Sequence, residues 1–323
     1  IELHHHAILL GLPVLTSLDT ANALCDIIAS KFTEYNTELV DINHLRTKKT
    51  ELAFTKMQSC GNDYIYFEDL DGKITCPESL AVNFVDRHYG IGGDGIVLIE
   101  RSEIADAKMR IFNQDGSEGQ MAGNAIRCVA KYLYENGIVK DTSMTIETMS
   151  GVREVKVYSF GGVVTSASAD LGVVELRGER IPSVWKGDKI VNQPMEIDGT
   201  SYHVTLVNLG NPHCVIFCDK VDDVPVQTLG PRIENSEYFP AKTNVEFIRV
   251  VNESTVKMRV WERGNGETWA CGTGAAAAAV ACVLNGLCKA DTDITVKVKG
   301  GDLIVRYHSQ DGHVTLTGND SAL

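Results

Sequence analysis

Two stretches with the same pattern decide how this chain folds. The first is Ile111-Phe-Asn-Gln-Asp-Gly-Ser-Glu-Gly-Gln-Met-Ala-Gly-Asn-Ala-Ile-Arg-Cys-Val-Ala-Lys-Tyr-Leu133. The second is Val260-Trp-Glu-Arg-Gly-Asn-Gly-Glu-Thr-Trp-Ala-Cys-Gly-Thr-Gly-Ala-Ala-Ala-Ala-Ala-Val-Ala-Cys282. Aligning them pairs Ala122 with Cys271, and pairs the Asn-Gly helix stop at 136–137 with that at 285–286. Each half therefore holds a strand, a glycine-rich loop and an apolar helix, which predicts an internal repeat.

The two predicted helices, residues 125–134 and 274–283, are the informative elements. The second is almost entirely alanine and valine, and a helix without a polar face must be buried on all sides. The first is mostly apolar. We expect both N-termini to lie deep in the protein and to converge on one cleft. The backbone N–H groups at 123–124 and 272–273 would then favour a carboxylate between them.

One cysteine stands at such a helix start. The helix dipole favours a thiolate there, so we expect the pKa of Cys271 to be lowered and the residue to be catalytic. His213 and Glu262 are candidates to tune it. The remaining cysteines fit inert packing, which is the interpretation for Cys282, Cys25, Cys128 and Cys218.

The rest of the chain divides into a short extension and a strand-rich region. Residues 15–29 have helical periodicity, and 31–50 are polar and typical of a linker. From residue 54 onward, β-rich runs alternate with Gly, Asn and Asp turns. We predict strands at 64–67, 95–99, 144–148, 152–158, 202–206, 213–217, 244–251, 255–261 and 294–298.

Bulk properties exclude several classes of protein. The net charge of −13 argues against a nucleic-acid or anionic-membrane partner, and no run of apolar residues is long enough to span a membrane. Nine cysteines without regular spacing or a CxxC pair do not resemble a disulfide framework or a zinc site. We therefore expect a cytoplasmic protein that binds no metal.

Six segments, in order, resemble the diaminopimelate epimerase family: 54–64, 86–95, 110–118, 210–215, 239–245 and 261–274. The resemblance covers about residues 53–318. It implies an α+β fold of two pseudo-symmetric domains, each a twisted β-sheet or barrel around a central helix, with the active site between them. We expect an extension at 1–52, an N-terminal domain at 53–167 and a C-terminal domain at 168–323, with the last strand returning to the N-terminal domain.

The resemblance also implies a reaction. The family interconverts LL- and meso-diaminopimelate for lysine and peptidoglycan biosynthesis without pyridoxal phosphate, metal or nucleotide. Two thiols face the α-carbon from opposite sides, and His213 and Glu262 match the pair that adjusts their pKa values. A homodimer is expected. The family's substrate positions fall on Asn62, Asn113, Gly123, Asn124, Asn211, Asn244, Glu262, Arg263, Gly272 and Thr273.

Two features depart from the family. Ala122 stands where the second catalytic cysteine should be, and it has no proton to give or take, so the chain as given is expected to be a poor epimerase. An engineered change, natural divergence (Ala125 also replaces a usual glycine) and a one-base chemistry are the alternatives. The chain also ends where relatives continue with a final strand, which leaves the sheet edge and dimerisation in question.

Other interpretations stay open at this point. A rival enzyme is a one-base relative similar to proline racemase or a hydroxyproline dehydratase. A rival of another class is a catalytically dead protein that binds an amino acid in the cleft. Residues 11–22, Gly-Leu-Pro-Val-Leu-Thr-Ser-Leu-Asp-Thr-Ala-Asn, resemble the C-terminal end of carbamoyl-phosphate synthase large subunits. The alternative is an unrelated helical extension.

Overall fold

The strands of the second half of the chain pair in the same order as those of the first half. The structure, a computed structural model, describes residues 51–119 and 122–322. The helix predicted at 15–29, the linker and Cys25 lie outside the described residues. The helices are α1 (Pro77–Phe84), α2 (Gly123–Glu135), α3 (Val226–Glu234) and α4 (Gly272–Leu284). Two short 3-10 turns lie at Gly178–Arg180 and Val221–Asp223.

The strands carry most of the described chain. They are β1 Thr55–Ser59, β2 Asn62–Glu68, β3 Gly95–Glu100, β4 Ala107–Asn113, β5 Glu118–Gly119, β6 Ser143–Thr148, β7 Gly151–Phe160, β8 Val163–Val173, β9 Gln193–Ile197, β10 Thr200–Asn208, β11 Pro212–Phe217, β12 Asn244–Asn252, β13 Thr255–Glu262, β14 Gly266–Thr268, β15 Ile294–Val298, β16 Gly301–Tyr307, β17 His313–Gly318 and β18 Asp320–Ala322. All nine strands predicted from the sequence are confirmed within these bounds.

The two halves share one order of pairing. In the first, β2 lies antiparallel to β1 and parallel to β3, β4 lies antiparallel to β3, and β6 lies parallel to β4. In the second, β11, β12, β13 and β15 repeat this arrangement, with β10 in the place of β1. The outer strands β8 and β17 pair antiparallel and join the two halves. The expected α+β fold with internal pseudo-symmetry is therefore observed.

Each half has its own buried helix. The apolar core around α2 includes Val129 and Leu133, and the separate core around α4 includes residues 275–282. The prediction that α4 has no polar face is confirmed, because its alanines are fully buried. Helix α2 differs in that it buries a cation: the Arg127 guanidinium donates to the carbonyl oxygen of Gly123 at 3.0 Å.

Both buried helices end where the repeat predicts. Gly137 and Gly286 follow the last turns with φ of 67° and 72°, a left-handed conformation that glycine adopts without strain. The N–H groups of the glycines donate to Tyr134 and Val283, one turn back. This closure satisfies carbonyl groups that a helix end otherwise leaves unpaired.

The last described residues form a strand that pairs with the first half of the chain. Residues Asp320–Ala322 form β18, which pairs antiparallel with β1. Helices α1 and α3, which the sequence did not predict, occupy equivalent places between β2 and β3 and between β11 and β12. Among the described residues, no helix combines the length and apolar character needed to cross a membrane.

Candidate active site

The two buried helices begin side by side. Ala122 and Cys271 are their N-caps, with nearly equal backbone angles of −132°/120° and −127°/114°. A Cβ on Gly272 would lie 3.7 Å from the Cα of Gly123. The predicted convergence of the N-termini is therefore confirmed. Ala122 and Cys271 both line one cavity of about 480 Å³.

Most of the predicted site residues line this cavity. They are Asn62, Asn113, Ala122, Gly123, Asn124, Asn211, Glu262, Arg263, Cys271, Gly272 and Thr273. His213 and Asn244 do not line it; both are buried behind it. Other lining residues were not predicted, among them Tyr64, Asp94, Gln114 and Asn265.

The Cys271 sulfur lies against the first turn of α4. It accepts a hydrogen bond from the N–H of Gly274 at 3.3 Å, and the hydroxyl of Thr273 is 3.5 Å away. These two donors lower the thiol pKa, as the helix position predicts. Burial raises the pKa more strongly, and the carboxylates of Glu262 and Glu246 raise it further. The expectation of a lowered pKa is thus wrong: the net direction is well above the usual value.

Glu262 faces the cavity from the end of β13. The hydroxyl of Thr268 donates to its Oε1 atom. Burial disfavours its charged form and raises the carboxyl pKa to about 7, and the neighbouring acidic groups Glu246 and Asp94 add to this direction. A carboxyl that titrates near neutrality can give or take a proton inside the cavity.

His213 pairs with a carboxyl that the sequence did not single out. Its Nδ1 atom lies 2.7 Å from Oε1 of Glu246, and both side chains are fully buried. Glu262 bonds to Thr268 instead. Sequence reasoning missed Glu246. The signal that could have found it is a carboxylate within the run Asn-Val-Glu-Phe-Ile at 244–248, whose residues are all buried.

A continuous series of hydrogen bonds leads from this pair to the sulfur. The Nε2 atom of His213 lies 3.0 Å from Oδ1 of Asn211, and the Asn211 amide donates to the Thr273 hydroxyl at 3.2 Å. That hydroxyl is the one beside the Cys271 sulfur. We call this series the donor chain; its members are Glu246, His213, Asn211, Thr273 and Cys271.

On the other side of the cavity, amides and a carboxylate form a second cluster. Asn62 donates to Asp94 at 2.7 Å, and Arg87 donates to the other oxygen of Asp94 at 2.9 Å. Asn113 donates to Ser117 at 3.0 Å. Asp94 was missed by the sequence analysis although it lies in the quoted segment 86–95. Its side chain shares the cavity wall with Asn62.

The turn that carries Glu262 and Arg263 is held by hydrogen bonds to residues that lie behind the cavity wall. The buried Asn244 accepts from the N–H of Arg263 at 2.8 Å, and Glu234 of α3 accepts from the N–H of Gly264 at 3.1 Å. Asn244 thus supports the wall rather than reaching the cavity. The Arg263 guanidinium is exposed and donates to the Ala241 carbonyl at 3.3 Å, which leaves it further donors for a bound anion.

The arrangement suits a small zwitterionic acid. Two helix N-termini and an exposed guanidinium provide sites for carboxylates. The carboxyls of Glu262 and Asp94 provide acceptors for ammonium groups. On one wall the thiol of Cys271 stands at the start of α4, and on the other wall the methyl group of Ala122 stands at the equivalent start of α2.

Comparisons with known proteins agree with this geometry. The family model for diaminopimelate epimerase matches residues 54–172 and 205–322. A diaminopimelate epimerase of Desulfovibrio desulfuricans is 48% identical over 273 residues, which cover 83% of this chain and 94% of the relative. One of Geobacillus is 47% identical over 273 residues, covering 83% and 95%.

Solved structures with low identity share the fold alone. A hydroxyproline epimerase from Agrobacterium vitis has a TM-score of 0.62 at 13% identity, covering 84% of this chain and 88% of that one. A phenazine biosynthesis protein of the PhzF family from Bacillus anthracis has a TM-score of 0.61 at 15% identity, covering 85% and 98%.

Proposed function

The chain belongs to the diaminopimelate epimerase family, and from this premise we propose that its cavity binds diaminopimelate and exchanges the proton at one α-carbon. The observation that carries the proposal is the convergence of two helix N-termini on one cavity, with Cys271 at one helix start. The reaction framework is the interconversion of LL- and meso-diaminopimelate, which serves lysine and peptidoglycan biosynthesis. It uses side chains of this chain and no pyridoxal phosphate, metal or nucleotide.

Substrate binding follows from the charges around the cavity. The N–H groups at the starts of α2 and α4 would hold the reacting α-carboxylate, because four N–H groups at a helix start have no intrahelical acceptor. Arg263 would pair with the distal carboxylate, since its guanidinium reaches the cavity from an exposed turn. The amides of Asn62, Asn113 and Asn211, together with Asn124, offer both donors and acceptors to the ammonium and carboxylate groups.

Only one face of the substrate α-carbon would have an acid or base beside it. Cys271 is proposed as the acid or base at its face of the α-carbon, and Glu262 and His213 as the groups that adjust it. At the other face Ala122 offers only a methyl group. Inversion needs a proton to leave one face and another to arrive at the opposite face, and a positioned acid or base contributes about 10²–10⁴ in rate. We therefore expect slow exchange and scarcely any inversion.

The test compares the chain with its Ala122→Cys variant. The first measurement is exchange of the α-proton in deuterated water, for each diaminopimelate stereoisomer separately. The second is stereochemical conversion of LL-diaminopimelate. We expect the parent to exchange one stereoisomer slowly, and the variant to invert at least about 10²-fold faster than the parent, by the usual contribution of one acid or base.

Three outcomes would overturn parts of this assignment. Equal and brisk conversion by parent and variant would mean that another residue supplies the second proton. No conversion by either, with diaminopimelate still bound, would favour a protein that only binds an amino acid. Exchange or elimination from a cyclic imino acid instead of diaminopimelate would favour the one-base relative. A Cys271→Ala variant of the Ala122→Cys protein is the matched control and should be inactive.

The remaining features of the assignment are also proposals. The division into domains at 53–167 and 168–323 is supported by the separate cores around α2 and α4. The return of the last strand to the first domain is supported by the pairing of β18 with β1. A homodimer and a cytoplasmic location rest on the family alone. Size-exclusion chromatography with light scattering would test the dimer.

A further inference from the structure

With the Asn211 amide as donor, the donor chain can run in one direction, toward the Cys271 sulfur. The Asn211 amide nitrogen can only donate, and it donates to the Thr273 hydroxyl at 3.2 Å. The hydroxyl has a single proton, and directing it at the Cys271 sulfur, 3.5 Å away, makes that contact a hydrogen bond to the sulfur. A donor aimed at the sulfur stabilises a thiolate relative to a thiol.

The Asn211 side chain also determines which ring nitrogen of His213 carries a proton. The Asn211 amide oxygen can only accept, so the Nε2 atom of His213, 3.0 Å away, must carry a proton. One proton then remains for the 2.7 Å contact between Nδ1 and Glu246, whichever of the two atoms it is nearer to. Without a partner on Nδ1, a neutral imidazole is free to hold its proton on either nitrogen.

Glu246 is the first member of the donor chain, and its carboxyl has no other hydrogen-bond partner among the described residues. Glu246 is fully buried on β12, and its second oxygen has no hydrogen-bond partner among the described residues. A buried carboxyl with one unpaired oxygen is costly to folding, so its retention calls for a compensating role. Its Oε1 atom would lie 2.8 Å from a Cβ on Gly274, and the Cys271 sulfur 3.2 Å from the same point. The carboxyl and the thiol are thus close neighbours across one glycine.

We propose that Glu246 is a positioning residue for the acid–base chemistry of Cys271: it holds the imidazole of His213 in the Nε2–H form and so aims the donor chain at the sulfur. It touches neither the cavity nor the substrate. The proposal deepens the proposed function, on which it rests for the meaning of a reactive thiol. The donor chain itself is a property of the fold and can be tested without turnover.

Other charged and titratable groups face the same sulfur and must be held constant. Glu262 approaches from β13 and Tyr64 from β2, and the charge of Glu262 acts on the thiol in the same direction as that of Glu246. A substitution at Glu246 therefore changes two things, a charge and a hydrogen bond. Separating them requires two variants of equal charge.

The experiment uses Glu246→Gln and Glu246→Met in the full chain. Both variants remove the ionisable carboxyl, and their side chains are similar in length. Only glutamine can donate to Nδ1 of His213 and keep the donor chain aligned. Alkylation of Cys271 by iodoacetamide is followed at several pH values by mass spectrometry of its peptide, with the exposed Cys76 as internal reference.

The expected result is a difference between the two variants. At one pH below the thiol pKa, Cys271 should react about tenfold more slowly in the Met variant than in the Gln variant, the order expected for losing one hydrogen bond to a charged group. Equal rates in Gln and Met variants with equal melting temperatures would overturn the proposal.

A second measurement does not depend on any variant of Glu246 folding. In ¹⁵N-histidine-labelled parent protein, the ring signals of His213, identified by their loss in His213→Gln, should report a proton on Nε2. Finding Nε2 unprotonated near neutral pH would overturn the proposal directly. Both measurements are independent of diaminopimelate, so absence of epimerase activity would leave their outcome unchanged and would count against the proposed function alone.

Discussion

Replacing Glu262 by glutamine should stabilise the protein, and only above a certain pH. Burial raises the carboxyl pKa from 4.5 to about 7. Between these values the folded protein keeps a proton that the unfolded chain releases, so this residue lowers stability progressively as the pH rises. Above pH 7 the full cost is present, up to about 3 kcal/mol, since one pKa unit corresponds to about 1.4 kcal/mol. Glutamine has no proton to lose and can still accept from Thr268.

Thermal unfolding of parent and Glu262→Gln at several pH values measures this effect. At pH 8 the variant should melt higher by up to roughly 6–12 °C, at about 2–4 °C per kcal/mol. At pH 4 both side chains are neutral, and the two melting temperatures should coincide. A difference that is the same at pH 4 and pH 8 would refute the reasoning, because it would not follow the proton. Glu267→Gln, an ion-paired glutamate nearby, is the control and should lower stability at pH 8.

Two further substitutions test contacts at the cavity and directly behind it. Arg263→Ala should weaken diaminopimelate binding by about 1.5–3 kcal/mol, the range for a hydrogen bond to a charged group, and calorimetry that finds unchanged affinity would reject its role. Gly274→Ala should destabilise the fold by about 1–3 kcal/mol, because the new Cβ would lie 2.8 Å from Glu246 and 3.2 Å from the Cys271 sulfur. Urea unfolding measures this cost, and an unchanged midpoint would contradict the close contact.

The fold was predictable because its repeat is visible in residue types. Glycine, asparagine and alanine mark the start and end of each buried helix, and these residues have few alternatives at such positions. Helices α1 and α3 were missed. The first is only eight residues long, and the second contains Pro231, which a sequence pattern favours as a helix end.

The electrostatics of the site were less predictable. A cysteine at a helix N-terminus predicts a lowered pKa, and the expected donors are present at Cys271. The net direction depends instead on burial and on two carboxyls, from Glu246 on β12 and Glu262 on β13, which tertiary structure brings together. Likewise, the partner of His213 lies on the neighbouring parallel strand, and sequence spacing alone does not choose between the two glutamates.

The two halves share their backbone arrangement, but their charged side chains differ. The alignment that pairs Ala122 with Cys271 holds from residue 62 to residue 137, and the strand registers agree with it. Equivalent side chains nevertheless differ: Tyr64 with His213, Val97 with Glu246, Asn113 with Glu262 and Arg127 with Ala276.

A buried guanidinium thus lies behind one helix start, and a buried carboxyl lies behind the other. The surroundings of the two helix starts therefore differ in charge. Arg127 bonds to Gly123, next to position 122, whereas Glu262 and Glu246 act on Cys271, and opposite charges shift a thiol pKa in opposite directions.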